Sequence, residues 1–510
     1  MIHNKTRSIF ISFLVLFAIS GCETEIEVEI TDPVLKSFKL RTLDGGATGD
    51  CIIQNDTITA LFTACKDSHC IPIVEGDFDY VEINGERLIS GETIVDFNNV
   101  CNIECVKNSG EKEKRYSYTA IIKTLNGIPR IDIFTEEGAI IDSKESYVNA
   151  TIVIGNDPEH GQYNGKIEIR GRGNATWTDY PKKPYKLKFP EKQSLFGFPA
   201  NKDWILLAEY NDKTFLRTAY MCELSKAVEM EYTVNYQHVD LFLNTEYEGT
   251  YILTDQIEKA KERVNITGDG FIIEDDGYYL QEPLYFTSKI MNYNYTFKYP
   301  KPSKGGIAEN DESFVFIRDF IDSLEESLLQ IPEDVDSYKE LIDINSFAKW
   351  FIATELLGNW EPNLYYVLSS RNSKLKLMPM WDAEWSLGLA AKGGEYWGWH
   401  IRPFEPRFDE PIWFESKYFV YLMKDPYFVE EIKKEWRLLY PKLSEINEVI
   451  SSLSNVIRYS VMDNFDRWDI LGQYTVLVML VSFNTWDEEV RYASTFFNKR
   501  KEWLNSILNN

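Results

Sequence analysis

Histidine is scarce in this chain. The five in 510 residues, His3, His69, His160, His238 and His400, are scattered, which argues against a histidine-built metal centre or a recognisable serine-hydrolase triad. No GxxxxGK[ST] phosphate loop, GxSxG elbow or HExxH pair occurs anywhere. Basic residues are also short: 54 Lys and Arg stand against 80 Asp and Glu, a formal net charge of −26. A surface that acidic repels phosphate backbones and gains nothing from counterion release, which excludes nucleic acid as a natural partner. Apolar material is not lacking. At 44% hydrophobic and 14% aromatic the chain can bury large cores, and its length suggests roughly two to four domains.

The first 22 residues read as a targeting segment. Lys5 and Arg7 precede an apolar run, Ile9 to Ile19, that falls short of the roughly 20 residues a bilayer span needs. The run ends in Ile19-Ser20-Gly21-Cys22, which resembles a bacterial lipobox; an ordinary secretory signal is the plainer alternative. The resemblance implies cleavage before Cys22 and lipidation of its sulfur, so that acyl chains hold the protein on a membrane. Residues 23–33 form an acidic tether. Its start, Cys22-Glu23-Thr24-Glu25, is similar to an outer-surface export signal of some Gram-negative bacteria, and equally suits a solvated spacer. The expected location is the cell envelope, on the outer membrane, with surface exposure open.

Six cysteines follow Cys22. Cys51, Cys65, Cys70, Cys101 and Cys105 crowd one segment, and Cys222 lies alone. An exported chain permits disulfides, although five cysteines cannot all pair within that segment. A zinc site there is weakly supported, because the CxxxxC and CxxxC spacings have only His69 nearby.

Residues 34–130 predict a small all-β sandwich. Alternating runs at Tyr80–Ile83, Glu92–Val95 and Tyr116–Ile121 are separated by turn signals such as Asn84-Gly85. Asn126-Gly127-Ile128-Pro129 marks a boundary. Strand-like pieces then recur at 131–134, 150–154, 166–170, 185–189 and 238–243, with one helix predicted over 214–228. From about 312 the period becomes helical: Ile317, Phe320, Ile321, Leu324 and Leu328 make one stripe, which Pro332 closes. The stripe at Ile446, Val449, Ile450, Leu453 and Ile457 repeats the pattern, as does the last helix around Val490, Phe497 and Leu504. The expectation is an α+β domain over 131–510, β-rich to about 300 and helical over 310–510.

Within it stand Arg172-Gly173-Asn174-Ala175-Thr176-Trp177 and Lys182-Lys183-Pro184-Tyr185-Lys186-Leu187-Lys188-Phe189. Phe196-Gly197-Phe198-Pro199, Asp203-Trp204-Ile205-Leu206-Leu207-Ala208 and Asp212-Lys213-Thr214-Phe215-Leu216-Arg217 follow in order. Tyr247-Glu248-Gly249-Thr250-Tyr251, Asp255-Gln256-Ile257, Gly358-Asn359-Trp360-Glu361-Pro362-Asn363 and Met380-Trp381-Asp382-Ala383-Glu384-Trp385 complete the set. In order and spacing these blocks resemble the spore-coat protein H (CotH) kinase family. The resemblance implies an atypical two-lobed protein-kinase-like fold and transfer of the ATP γ-phosphate to an exported protein.

Phosphoryl transfer needs a cation on the phosphates, carboxylate or amide ligands for Mg²⁺ or Mn²⁺, and a group orienting the acceptor. The resemblance puts Asp382 at the family's metal-binding Asp, with Asn363 as an amide ligand and Glu384 as a further partner. A turn or capping role is the plainer reading of Asp382. Lys186 and Lys188 share a strand face, where one of them can bind phosphate or both can simply be solvated. Arg172 and Asn174 sit at a glycine turn suited to phosphates or to turn structure alone. Glu361 stands where kinase-like members place the catalytic Asp. It reaches about one methylene further, and misplacement by ~1 Å can cost on the order of 100-fold in rate. Pro362 stiffens the same loop. An impaired kinase, a pseudokinase that only binds nucleotide, and an enzyme with adjusted geometry all remain open. The alternative from another class is a surface lipoprotein that binds a glycan or a protein partner. Trp397-Gly398-Trp399-His400 suits either sugar stacking or core packing.

Overall fold

The computed structural model describes residues 31–509 apart from 42, 44–47, 63–68, 98, 111, 125–127, 156–162, 391–408, 410, 412–416 and 477. Cys22, Cys65 and the Trp397–His400 patch therefore lie outside the described residues. No described helix is long and apolar enough to cross a membrane.

The first ten strands form two sheets, of four and six strands, that share one apolar cluster. Alternation builds it: Phe38 and Leu40 from Val34–Arg41, Val81 and Ile83 from Tyr80–Ile83, and Ile103 and Cys105 from Cys101–Ser109 all point inward. The strand expected at Glu92–Val95 shrinks to Val95–Asp96. Glu92 and Thr93 instead donate their N–H groups to Ile89 O at 3.0 Å, in a turn that places Gly91 at φ +80°. Cys70 is disulfide-bonded, while Cys101 and Cys105 are buried thiols. No three metal-ligating side chains converge among the described residues, there or elsewhere.

A closed seven-stranded barrel follows. Its strands are Arg130–Thr135, Val148–Gly155, Tyr163–Gly171, Tyr185–Gln193, Asn201–Leu207, Tyr236–Leu243 and Glu246–Asp255. It closes by the parallel pairing of the first strand with Tyr236–Leu243, Arg130 opposite Asp240. Every strand sends alternate residues inward, among them Ile131 and Ile133, Tyr185 and Leu187, Trp204 and Leu206, and Tyr251 and Leu253. The intervening residues face outward, Lys186 and Lys188 among them. Helix Arg217–Ala227, three residues shorter at its start than the periodicity predicts, joins the barrel to the rest.

The boundary that periodicity places near residue 300 does not separate sheet from helix. The five-stranded sheet that follows the barrel draws Phe271–Asp275, Tyr285–Thr287 and Asn294–Tyr299 from before it, and Leu364–Leu368 and Leu375–Leu377 from after it. Strands this short, with Phe271–Asp275 and Leu364–Leu368 almost wholly buried, carry no period that distinguishes them from helix. Helices Glu312–Leu329, Ile344–Leu357, Pro426–Leu439, Leu443–Arg467 and Trp486–Leu508 pack with that sheet into one large apolar core.

Candidate functional site

Helix Ile344–Leu357 is buried along nearly its whole length. Asp343 caps its start, accepting from Ser346 N at 3.0 Å. Its end is fixed by Gly358 at φ +62°, where the N–H groups of Gly358 and Asn359 return to the carbonyls of Glu355 and Thr354. That turn delivers Asn359 to the cleft. Asn359 Nδ2 donates to Asp382 O at 2.7 Å, and its Oδ1 accepts from Glu361 N at 3.4 Å. The sequence blocks around Glu361 and Asp382 are thus stitched together by one amide.

The chain then runs through Asn363 into strand Leu364–Leu368, which pairs with Phe271–Asp275, Tyr365 opposite Glu274. Asn363 Nδ2 donates to Glu274, leaving the Asn363 Oδ1 as an acceptor. Glu274 is buried and pairs with Lys298 at 2.5 Å. Asp382 adopts φ +65°, unusual for a residue with a side chain, and the turn after it is tied back by Leu387 N donating to Leu357 O at 2.8 Å.

A second loop closes the site from the barrel side. Asp212 accepts from Thr214 N at 3.0 Å, Thr214 Oγ1 at 2.6 Å, Arg217 N at 2.9 Å and the Arg217 guanidinium at 2.5 Å. Both ends of that ion pair are fully buried. Arg217 Nε continues to Ser386 O at 2.8 Å, joining this loop to the Asp382 turn. Glu384 Oε1 accepts from Asn211 N at 3.0 Å, and Glu209 accepts from Thr218 Oγ1 at 2.9 Å.

The electrostatics are lopsided. Burial and the Asp382 charge push the Glu361 carboxyl up to about 7. Burial, Asp382 and Asp212 push Glu384 up to about 8. Asp382 reaches solvent, yet the dense protein around it raises its carboxyl to about 6, with Glu274 adding and Arg172 opposing. Glu209 is raised well above the carboxylate range by burial, then by Asp212 and Glu384. Asp212 has Arg217 and Glu274 has Lys298. Among the described residues, Glu209, Glu361, Asp382 and Glu384 form no ion pair, and Arg172 is the cation whose field opposes the rise at Asp382. Such a cluster is short of positive charge.

The remaining sequence-predicted residues divide. Arg172 belongs to the cleft, its guanidinium 5.9 Å from the Trp381 ring centroid and within the fields of Tyr365, Asp382 and Glu274. Asn174 precedes the short helix Ala175–Thr178, and its Oδ1 accepts from Lys144 Nζ at 3.1 Å. Lys186 pairs with Asp203 at 2.9 Å and Lys188 with Glu168 at 2.5 Å on the outer barrel wall. Neither lysine is among the charges that act on Asp382. Sequence reasoning missed Glu209, Glu274 and Lys298, and it gave Asp212 and Arg217 no role. The last two stood in the motif Asp212–Arg217, where an Asp five residues before an Arg could have been read as a loop-closing pair.

The donors fit a hard cation held partly by phosphate. Mg²⁺ keeps one or two carboxylates and takes its other oxygens from nucleotide and water, so a site need not gather three acidic side chains. Asp382 supplies a carboxylate and the Asn363 Oδ1 an amide oxygen of the kind such an ion takes. A family model described as CotH kinase protein matches residues 167–504. No curated protein matches the chain.

Proposed function

Because the chain belongs to the CotH kinase family, we propose that it transfers the γ-phosphate of ATP to a hydroxyl of an exported or surface protein at the cell envelope. What supports this reading is that Asp382 acts on Glu361 and lies in the fields of Arg172 and Glu274, and that Asn363 donates to the same Glu274.

In this reading Asp382 and the Asn363 Oδ1 hold Mg²⁺ or Mn²⁺, with Glu384 behind them. An ion held by these residues would supply positive charge against the phosphates of the nucleotide. Arg172, rather than Lys186 or Lys188, faces the phosphates, because both lysines are engaged with Asp203 and Glu168. Glu361 accepts the proton of the attacking hydroxyl. It must be ionised to do so, and neutralising Asp382 removes one of the two causes that raise it. An acyl anchor at Cys22 completes the proposal, supported by the order of Lys5, Arg7, Ile9–Ile19 and Cys22. A disulfide at Cys70 suits the same oxidising compartment.

A second reading rests on Glu361, whose extra methylene displaces the carboxylate from where an Asp would put it. The protein then binds nucleotide without transfer, or serves as a surface receptor for a glycan or protein.

The test incubates the intact protein in detergent with labelled ATP and Mg²⁺ or Mn²⁺, beside Asp382→Ala and Glu361→Asp. Autophosphorylation and calorimetric ATP binding are both read. Label transfer that disappears in Asp382→Ala supports the kinase. Binding without transfer, restored to transfer by Glu361→Asp, marks a pseudokinase. Absence of ATP binding in every variant overturns the nucleotide reading.

A further inference from the structure

A cavity of about 440 Å³ lies apart from the cleft, where the chain enters the barrel beside the end of helix Leu443–Arg467. Its volume is within the range of small-molecule sites. Asp240 lines it from the barrel, with Asp463 and Asp466 from the helix and Arg130 and Arg467 at its sides.

The arginines are already employed. Arg130 forms a bidentate pair with Asp132 at 2.6 and 2.8 Å and lies over the Phe242 ring, 3.6 Å from its centroid. Arg467 donates to Tyr247 O at 3.1 Å and covers the Trp468 ring. Asp240 is different. Its carboxylate accepts from the Tyr247 hydroxyl at 3.0 Å, Thr250 Oγ1 at 3.2 Å and Ser460 Oγ at 2.8 Å. All three donors are neutral; among the described residues Asp240 forms no ion pair, and the buried Lys182 reaches it only through its field, with its Nζ on Thr250 O. Burial, with Asp463 adding to it, pushes this carboxyl up to about 6, a rise that a positive ligand would oppose.

From the cavity and an Asp240 carboxylate held there by neutral donors alone we infer that this pocket binds a small primary-ammonium ligand, with the –NH₃⁺ group donating to Asp240 and the charge shared with Asp463 and Asp466. An ammonium carries three donors on a compact charge and suits a carboxylate set better than a planar guanidinium does. Phe242 and Tyr247 also line the cavity and offer apolar surface to a short alkyl stem. The inference does not depend on phosphoryl transfer.

Calorimetric titration of the intact protein with putrescine, at neutral pH and near-physiological ionic strength, tests it. Saturable one-to-one binding is expected. Asp240→Asn should weaken it by roughly tenfold or more, since a charge-assisted hydrogen bond becomes a neutral one. Asp466→Asn, at an exposed position, should weaken it by about two- to threefold. The proposal is overturned if putrescine gives no saturable heat, or if both variants bind it as the wild type does. It is equally overturned if tetramethylammonium, which has no N–H donor, binds as tightly.

Discussion

Asp212 is expected to bear more of the cleft's stability than any residue that lines it openly. Its carboxylate takes four hydrogen bonds from Thr214 and Arg217, two of them from backbone N–H groups at the start of helix Arg217–Ala227, and neither partner of the ion pair is exposed. Asp212→Asn keeps the shape but leaves the Arg217 guanidinium buried without a counter-charge. Breaking a buried pair from one side costs about 3–5 kcal/mol. Arg217→Met also cuts the link to Ser386 O, so it should free the Asp382 turn as well as the helix start. The double variant removes both charges and should lose less than the two single losses added together, with a coupling of about 2–3 kcal/mol. Urea unfolding of the four proteins, followed by tryptophan fluorescence at pH 7, measures all three numbers. A loss below about 1 kcal/mol for Asp212→Asn, or strict additivity in the double variant, refutes the argument.

Three further expectations follow from the same geometry. Glu384 has its carboxyl raised from 4.5 to about 8, so its contribution to stability is complete below about pH 4.5 and is lost as pH rises through 8. Glu384→Gln should therefore raise stability at pH 9 by about 1–2 kcal/mol after allowing for partial exposure, with no gain near pH 4; calorimetric melting across pH shows the trend or its absence. Gly249 sits at φ +111°, and a Cβ there would collide with Asn464 Oδ1 and come within 3.1 Å of Lys182 Cε. Gly249→Ala should cost at least about 1–3 kcal/mol from the backbone alone, and an unchanged melting temperature would contradict that. Asn359→Ala removes the buried amide that bridges Asp382 O and Glu361 N, so it should cost about 1–3 kcal/mol of stability and, in the folded protein, weaken Mg²⁺-dependent ATP binding about tenfold. Unchanged affinity in a folded variant would show that the bridge is not needed.

Much of the barrel was legible because its strands alternate. Ile131-Asp132-Ile133, Lys166–Arg170 and Tyr185–Phe189 each place every second residue in the core, and a period of two survives without knowing the partner strand. The same alternation put Lys186 and Lys188 on one face but could not say that Asp203 and Glu168 wait beside them, since register is a tertiary fact. Strand Leu364–Leu368 is buried on both faces and lost its period altogether. In the cleft, Asp382, Glu361 and Asn363 lie close in sequence and were found together. Glu209 and Glu274 were not, because carboxylates so far back along the chain acquire meaning only from the fold that brings them in. Burial, which raises Glu209, Glu361 and Glu384, leaves no mark on a residue's own letter.

The closure of the barrel bears on how this chain is made. Arg130 pairs with Asp240, so the first barrel strand has no neighbour on that side until a stretch more than a hundred residues downstream has been synthesised. The two sheets that precede it can finish folding in that interval. Strand Arg130–Thr135 meanwhile waits with one edge open and Ile131 and Ile133 exposed to solvent. An open apolar edge is a template for pairing with other chains. The protein is thus most prone to aggregate midway through its synthesis, and a holdase that covers this strand would raise its yield without touching the finished molecule.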